Sequence, residues 1–201
     1  MRVPYLSLIA LISLFSLSSL ACDKAAVDEL GDAPVYQTVR ITTTLGDFTI
    51  ALNAEAAPLS VANFSRYVAE GFYDGGDGLP KTTFHRVISN FMVQGGGMRS
   101  DGKKKLVNHP PIVHEGPNGL SNLRGTVAMA RTNDPNSATS QFFVNHVDNA
   151  ALDYASASQP GYVVFGVVSS GMETIDAIAA SETDASDVPL TPVIIEKVEV
   201  L

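Results

Sequence analysis

FHRVISNFMVQGGG, residues 84–97, sets two polar side chains, Arg86 and Gln94, among Phe84, Val87, Ile88, Phe91, Met92 and Val93. A guanidinium is costly to bury unless it is paired. An ordinary exposed surface would not place one so closely between aromatic and thioether side chains. One reading is a half-open apolar recess with a few donors on its rim; the other is that Arg86 pairs with a carboxylate while Phe91, Met92 and Phe143 belong to the core. Its local pattern reads as two short strands, 82–88 and 91–94, running into Gly95-Gly96-Gly97.

Working outward, QTVRITTT (37–44) and FTIAL (48–52) alternate apolar and polar residues around the turn Leu45-Gly46-Asp47, a β-hairpin pattern. PLSVANFSRYVAEG (58–71) has helical spacing, with Pro58 suited to a first turn and Gly71 to a stop. YDGGDGLPK (73–81) is a loop tip. Residues 98–124 are irregular, long enough to predict a packed or functional connection. GTVAMA (125–130), QFFVN (141–145), GYVVFGVV (161–168) and VIIEKVEVL (193–201) read as strands, and GMETIDAIAA (171–180) as a second short helix. About eight short strands without regular intervening helices predict a mainly β, antiparallel barrel with two helices, not a βαβ fold.

The bulk numbers agree with one globular domain. The chain has 201 residues, 45% hydrophobic and 17% charged, with a formal net charge of −8. That acidity argues against a nucleic-acid partner. Lys103-Lys104-Lys105 is the only basic run and reads as a solvated loop. Residues 1–21 carry Arg2 and then an uncharged apolar run, the pattern of a signal peptide. Its strongly apolar part, 5–17, is short for a membrane span. Cys22 follows, the sole cysteine, so no intrachain disulfide forms. Its position resembles the lipidation site of bacterial lipoproteins, although Ser19 stands where the usual pattern has Leu. Ser19-Leu20-Ala21 also fits an ordinary signal-peptidase site at the same bond. A lone cysteine in an oxidising compartment is a liability unless capped, which favours a lipid anchor to a membrane. The expected organisation is a signal peptide (1–21), a tether (22–36) and a domain (37–201), exported to the periplasmic side of a bacterial membrane. A soluble periplasmic or secreted protein is the alternative.

Other motifs carry less. Gly97–Lys104 approaches a phosphate-binding loop but puts Lys104 where the magnesium-binding hydroxyl belongs, and no apolar helix follows. His109, His114 and Glu115 sit among prolines without a ligand-pair spacing. His85 and His146, in apolar strand contexts, read as structural. The expectation is no cofactor and no metal.

Three blocks together, FHRVISNFMVQGGG (84–97), RGTVAMARTNDPNSATSQFFVN (124–145) and YVVFGVV (162–168), resemble the cyclophilins, which are peptidyl-prolyl cis–trans isomerases. The resemblance runs from about 37 to 201 and is nearest the bacterial type. It implies an eight-stranded closed barrel, a substrate groove on the barrel's outside, and proline-containing polypeptides as partners of a monomer. On the matching positions it implies Arg86 and Gln94 as catalytic, and Phe91, Met92, Ala130, Arg131, Gln141, Phe143, Leu152 and Tyr162 as substrate-binding. Tyr162 stands where many members have His, and Arg131 where Asn is commoner. Ala151 replaces a Trp that many members carry before Leu152, which implies weak cyclosporin binding. In this reading Gln94 helps to hold Arg86. The rival reading is a barrel that holds Pro-containing segments without turnover.

Overall fold

The computed structural model describes residues 35–201. The signal segment, Cys22 and most of the tether lie outside the described residues.

Eight strands form the barrel: β1 (Thr38–Thr43), β2 (Gly46–Leu52), β3 (Thr82–Ile88), β4 (Met92–Arg99), β5 (Thr126–Met129), β6 (Phe142–Asn145), β7 (Val164–Ser170) and β8 (Val193–Val200). They close in the order β1-β2-β7-β5-β6-β4-β3-β8, every pairing antiparallel. Closure leaves no sheet edge unpaired. Alternate residues point inward, so Val39, Ile41, Phe48, Ile50, Val93, Val127, Phe142, Val144 and Phe165 fill one interior cluster. Helices α1 (Pro58–Ala69) and α2 (Met172–Ala179) add Phe64, Tyr67, Ile175 and Ile178 to the same cluster. Phe64 alone meets the rings of Tyr73, Phe142 and Phe165 at centroid distances of 5.3 to 5.5 Å.

Helix α1 begins at Pro58 with no capping side chain from its own N-cap residue, Ala57. The cap comes from the irregular segment instead. The Glu115 carboxylate accepts hydrogen bonds from Leu59 N (2.6 Å), Ser60 N (2.8 Å) and Ser60 Oγ (2.6 Å). It satisfies two orphan backbone donors and opposes the positive end of the helix dipole. The long 98–124 connection is thus packed, as its length predicted.

Two readings need correction. The lysine run is not a wholly solvated loop: Lys105 is fully buried. Its Nζ donates to Phe72 O (2.6 Å), Asp77 Oδ1 (3.0 Å) and Pro80 O (3.2 Å) and lies over the Phe72 ring. A buried ammonium needs such a cage, and this one ties down the 72–80 loop. Strand β7 also starts three residues after the predicted position. Gly161 takes φ +62°, and Tyr162 N donates to Leu152 O (2.8 Å) before the chain joins the barrel.

Candidate active site

The position of Arg86 depends on a β-bulge. In a regular strand Phe84 and Arg86 would face the same way. Phe84 partners Gly95 and Arg86 partners Gln94, leaving His85 as an extra residue on β3. The bulge reverses the alternation. Phe84 and Val87 both point into the core, while Arg86 is exposed on the outer wall. Register then builds one row across the outside of five strands. Arg86 lies beside Gln94, Gln94 beside Phe143, Phe143 beside Ala128, and Ala128 beside Val164.

That row borders a second apolar cluster, separate from the interior one. It contains Met92, Ala128, Ala130, Phe143 and Val164, with Ile88, Phe91, Leu120, Leu152 and Tyr162 packed around them. Six of the residues expected at a substrate pocket, Phe91, Met92, Ala130, Phe143, Leu152 and Tyr162, therefore meet in one place. Ile88, Leu120, Ala128 and Val164 join them and were not singled out in the sequence. Ile88 had a signal, being two positions from Arg86 on the same strand. Leu120 sits in the irregular stretch, where no periodicity marks it.

An amide network holds the pocket wall. Asn149 Nδ2 donates to Phe91 O (2.9 Å) and to Asn145 Oδ1 (2.8 Å). Fully buried Asn122 donates from Nδ2 to Leu152 O (3.1 Å). Its backbone N–H donates to Asp153 Oδ1 (2.6 Å). Burial disfavours the Asp153 carboxylate, but the bonds from Asn122 and Ser121 outweigh it and lower the pKa.

The polar groups divide into three sets. Gln94 Nε2 donates to Gln141 Oε1 (2.8 Å) rather than holding Arg86, which corrects that part of the sequence reading. The Gln141 side chain lies so close over Gly97 that a Cβ there would come within 2.3 Å of it. Arg86 instead has its Nε 3.6 Å from Asp187 Oδ2, a half-exposed pair. The Arg131 guanidinium donates to Gly161 O from Nε (2.9 Å) and Nη2 (2.6 Å), and to Thr132 O from Nη1 (2.8 Å). It also covers the Tyr162 ring at 4.5 Å, and Tyr162 meets Phe143 edge-on at 5.5 Å. Arg131 thus braces one pocket wall. A polar recess of about 390 Å³, lined in part by Gln94, Lys104, Ala130, Arg131 and Gln141, adjoins the row.

Two histidines are engaged elsewhere. His109 Nε2 lies 2.7 Å from Glu70 Oε1, and His146 pairs with Asp176 at 3.1 Å. His85, the bulge residue, is pushed to a lower pKa by burial first and by the nearby Arg86 charge, against bonds to Thr83 and Gln141.

A closed eight-stranded barrel carrying an apolar cluster and a guanidinium on its outer wall is an arrangement suited to holding apolar segments by non-covalent contacts. Comparison with known proteins gives the family. Residues 38–200 match the sequence profile of the cyclophilin type peptidyl-prolyl cis-trans isomerase/CLD family. The chain is 48% identical over 167 residues to peptidyl-prolyl cis-trans isomerase A of Dickeya dadantii (strain 3937), covering 81% of this chain and 84% of that one. It is 46% identical over 168 residues to peptidyl-prolyl cis-trans isomerase B of Escherichia coli (strain K12), covering 81% and 98%. The fold is similar to a crystal structure of a cyclophilin type peptidyl-prolyl cis-trans isomerase from Cryptosporidium parvum. There the TM-score is 0.67 and the identity 28%, over 83% of this chain and 98% of that chain. The chain belongs to the cyclophilin-type peptidyl-prolyl cis–trans isomerase family. It is a peptidyl-prolyl isomerase acting on proline-containing peptides.

Proposed function

We propose that Arg86 performs the isomerisation chemistry over the outer pocket, with Gln94 beside it, and that the enzyme works outside the cytoplasm. The observation that carries the chemistry is the outer row, which sets Arg86 and Gln94 at the margin of the Met92–Phe143–Leu152 cluster.

Rotation about a peptide bond faces a barrier of roughly 18–20 kcal/mol from amide resonance. At X-Pro, cis and trans differ by only about 0.5–1 kcal/mol, so both are populated, and the enzyme changes only the rate of their exchange. Uncatalysed exchange takes roughly 10–100 s. Bringing it to milliseconds removes about 6 kcal/mol from the barrier. The proline ring enters the socket made by Phe91, Met92, Phe143 and Leu152. At the twisted transition state conjugation is lost and the prolyl nitrogen regains its lone pair. Arg86 donates a hydrogen bond to that lone pair, an interaction stronger there than in the planar ground state. No nucleophile and no proton transfer is needed. The Gln94–Gln141 pair offers amide groups to the substrate carbonyl, and Ala130, Arg131 and Tyr162 form the wall along which the flanking peptide runs.

The apolar segment 1–21 and the cysteine directly after it support export and a lipid anchor at Cys22. Clients are then exported proteins on the periplasmic side of a membrane. Intact-mass measurement of the native protein tests the anchor, since acylation of Cys22 adds a lipid-sized mass and an unmodified mass refutes it.

The chemistry is tested with Arg86→Ala in an isomerase assay on a Pro-containing peptide. The expected result is a fall in kcat/KM of roughly tenfold or more with unchanged thermal stability, since the Asp187 pair it breaks is half exposed. An unchanged kcat/KM removes Arg86 from the mechanism.

A further inference from the structure

Arg86 also lines a second recess, to which Gln94 does not contribute. It measures about 520 Å³ and runs between β3, the end of β4 and residues 186–192. Phe84, Met98, Val188, Pro189 and Pro192 give it mainly apolar walls, and no carboxylate lines it. Ligand-sized pockets span roughly 300–1,000 Å³.

We infer that this groove is a subsite for an apolar side chain of the same prolyl substrate, placed a few residues from the isomerising proline. The inference rests on the assignment of Arg86 to the active site. Three observations carry it. Arg86 lines the groove and sits beside Gln94, which sits beside Phe143 of the outer cluster, so a chain lying over Arg86 continues across both. An extended peptide advances about 3.3–3.6 Å per residue, which sets the occupant a few residues away.

Second, the outer wall is built in advance. Asp184 Oδ1 accepts from Ser186 N (2.8 Å) and Val188 N (3.0 Å), and Asp187 O accepts from Val87 N (2.8 Å). A preformed wall spares the cost of ordering a loop on binding. Third, Val188 is 42% exposed although it lines an apolar recess. Covering it and Met98 with an apolar side chain removes that surface from water.

The experiment uses peptides with one central Ala-Pro, extended on either side by Ala or by a single Leu or Phe at successive positions. Exchange rates are read by NMR, which needs no cleavage reporter. One position is expected to raise kcat/KM about fivefold over its Ala counterpart. Val188→Ser and, separately, Met98→Ala should erase that gain and leave the rate on a short tetrapeptide unchanged. A series with no position dependence overturns the groove, as does a gain that survives in both variants. Arg86→Ala on the short tetrapeptide keeps the two readings apart: loss there upholds the active site whatever the groove does.

Discussion

The barrel wall has two faces, built by alternate residues of the same strands, and they behave as different materials. On β4 and β6, Val93, Phe142 and Val144 point inward, while Met92, Gln94 and Phe143 point outward. The inner set is sealed. Phe142 meets the rings of Phe64, Tyr73 and Phe84 edge-on at 5.5 to 5.9 Å. The outer set is left open at its margin, with a guanidinium and an amide beside it. Closure stabilises the fold; on the proposed reading, the open margin of the outer cluster is what a substrate completes. On that reading, one residue along the chain separates a stability position from an activity position.

The sharpest break of that comparison is the neighbouring pair Phe142 and Phe143. Phe142→Ala leaves a void among three rings and should cost about 3–5 kcal/mol in denaturant unfolding. That is a large share of a typical total of roughly 5–15 kcal/mol. Phe143→Ala should cost less stability, since it packs against the partly exposed Phe91, Leu152 and Tyr162 and not among three sealed rings, yet on the proposed reading lower kcat/KM by roughly tenfold or more through the lost proline socket. Equal losses of stability from the two, with equal activities per folded molecule, would dissolve the distinction between the faces.

Next in size is Lys105, which belongs to neither face. Lys105→Met removes the cation from a fully buried cage and leaves Asp77 and two carbonyls without it. Breaking one partner of a buried pair costs about 3–5 kcal/mol, although Asp77 is partly exposed and water recovers some of that. Limited proteolysis should then cut within 72–80 faster than in the wild type, while β-barrel circular dichroism persists. Proteolysis at the wild-type rate would show that the loop holds without its lysine.

How much of this was legible depended on the kind of signal. The strands and helices could be read because alternation and helical spacing follow from which residues the core must bury. The outer cluster could be read where the family resemblance named its residues, as with Met92, Phe143 and Leu152. The β-bulge at His85 could not, because the segment Phe84-His85-Arg86 fits a regular strand equally well and only pairing with Gly95 and Gln94 reveals the extra residue. Lys105 was misread because its cage comes from residues 25 to 33 positions earlier, and a run of like charge gives no hint of such a partner. Asp187 was missed for the same reason: its contact with Arg86 spans about a hundred positions of chain.

The smallest effect concerns the bulge itself. His85 sits between the two faces, and burial together with the Arg86 charge lowers its pKa below the ordinary 6.5. The folded state therefore binds its proton less readily than the unfolded chain does. By linkage, the stabilising contribution of neutral His85 is present above about pH 6.5, the unfolded value. It is lost progressively as the pH falls from there through the folded pKa. His114 is shifted the same way, chiefly by burial, so it adds to the wild-type slope. Urea unfolding at pH 7.5, 6.5 and 5.5 should show wild-type stability declining toward acid, and His85→Gln declining less steeply because the His85 share is gone while the His114 share remains. Parallel slopes would mean that the bulge tolerates a charged imidazole. The reversed alternation that turns Arg86 outward would then be fixed by the Gly95 and Gln94 pairing alone, with no dependence on the protonation of the residue between them.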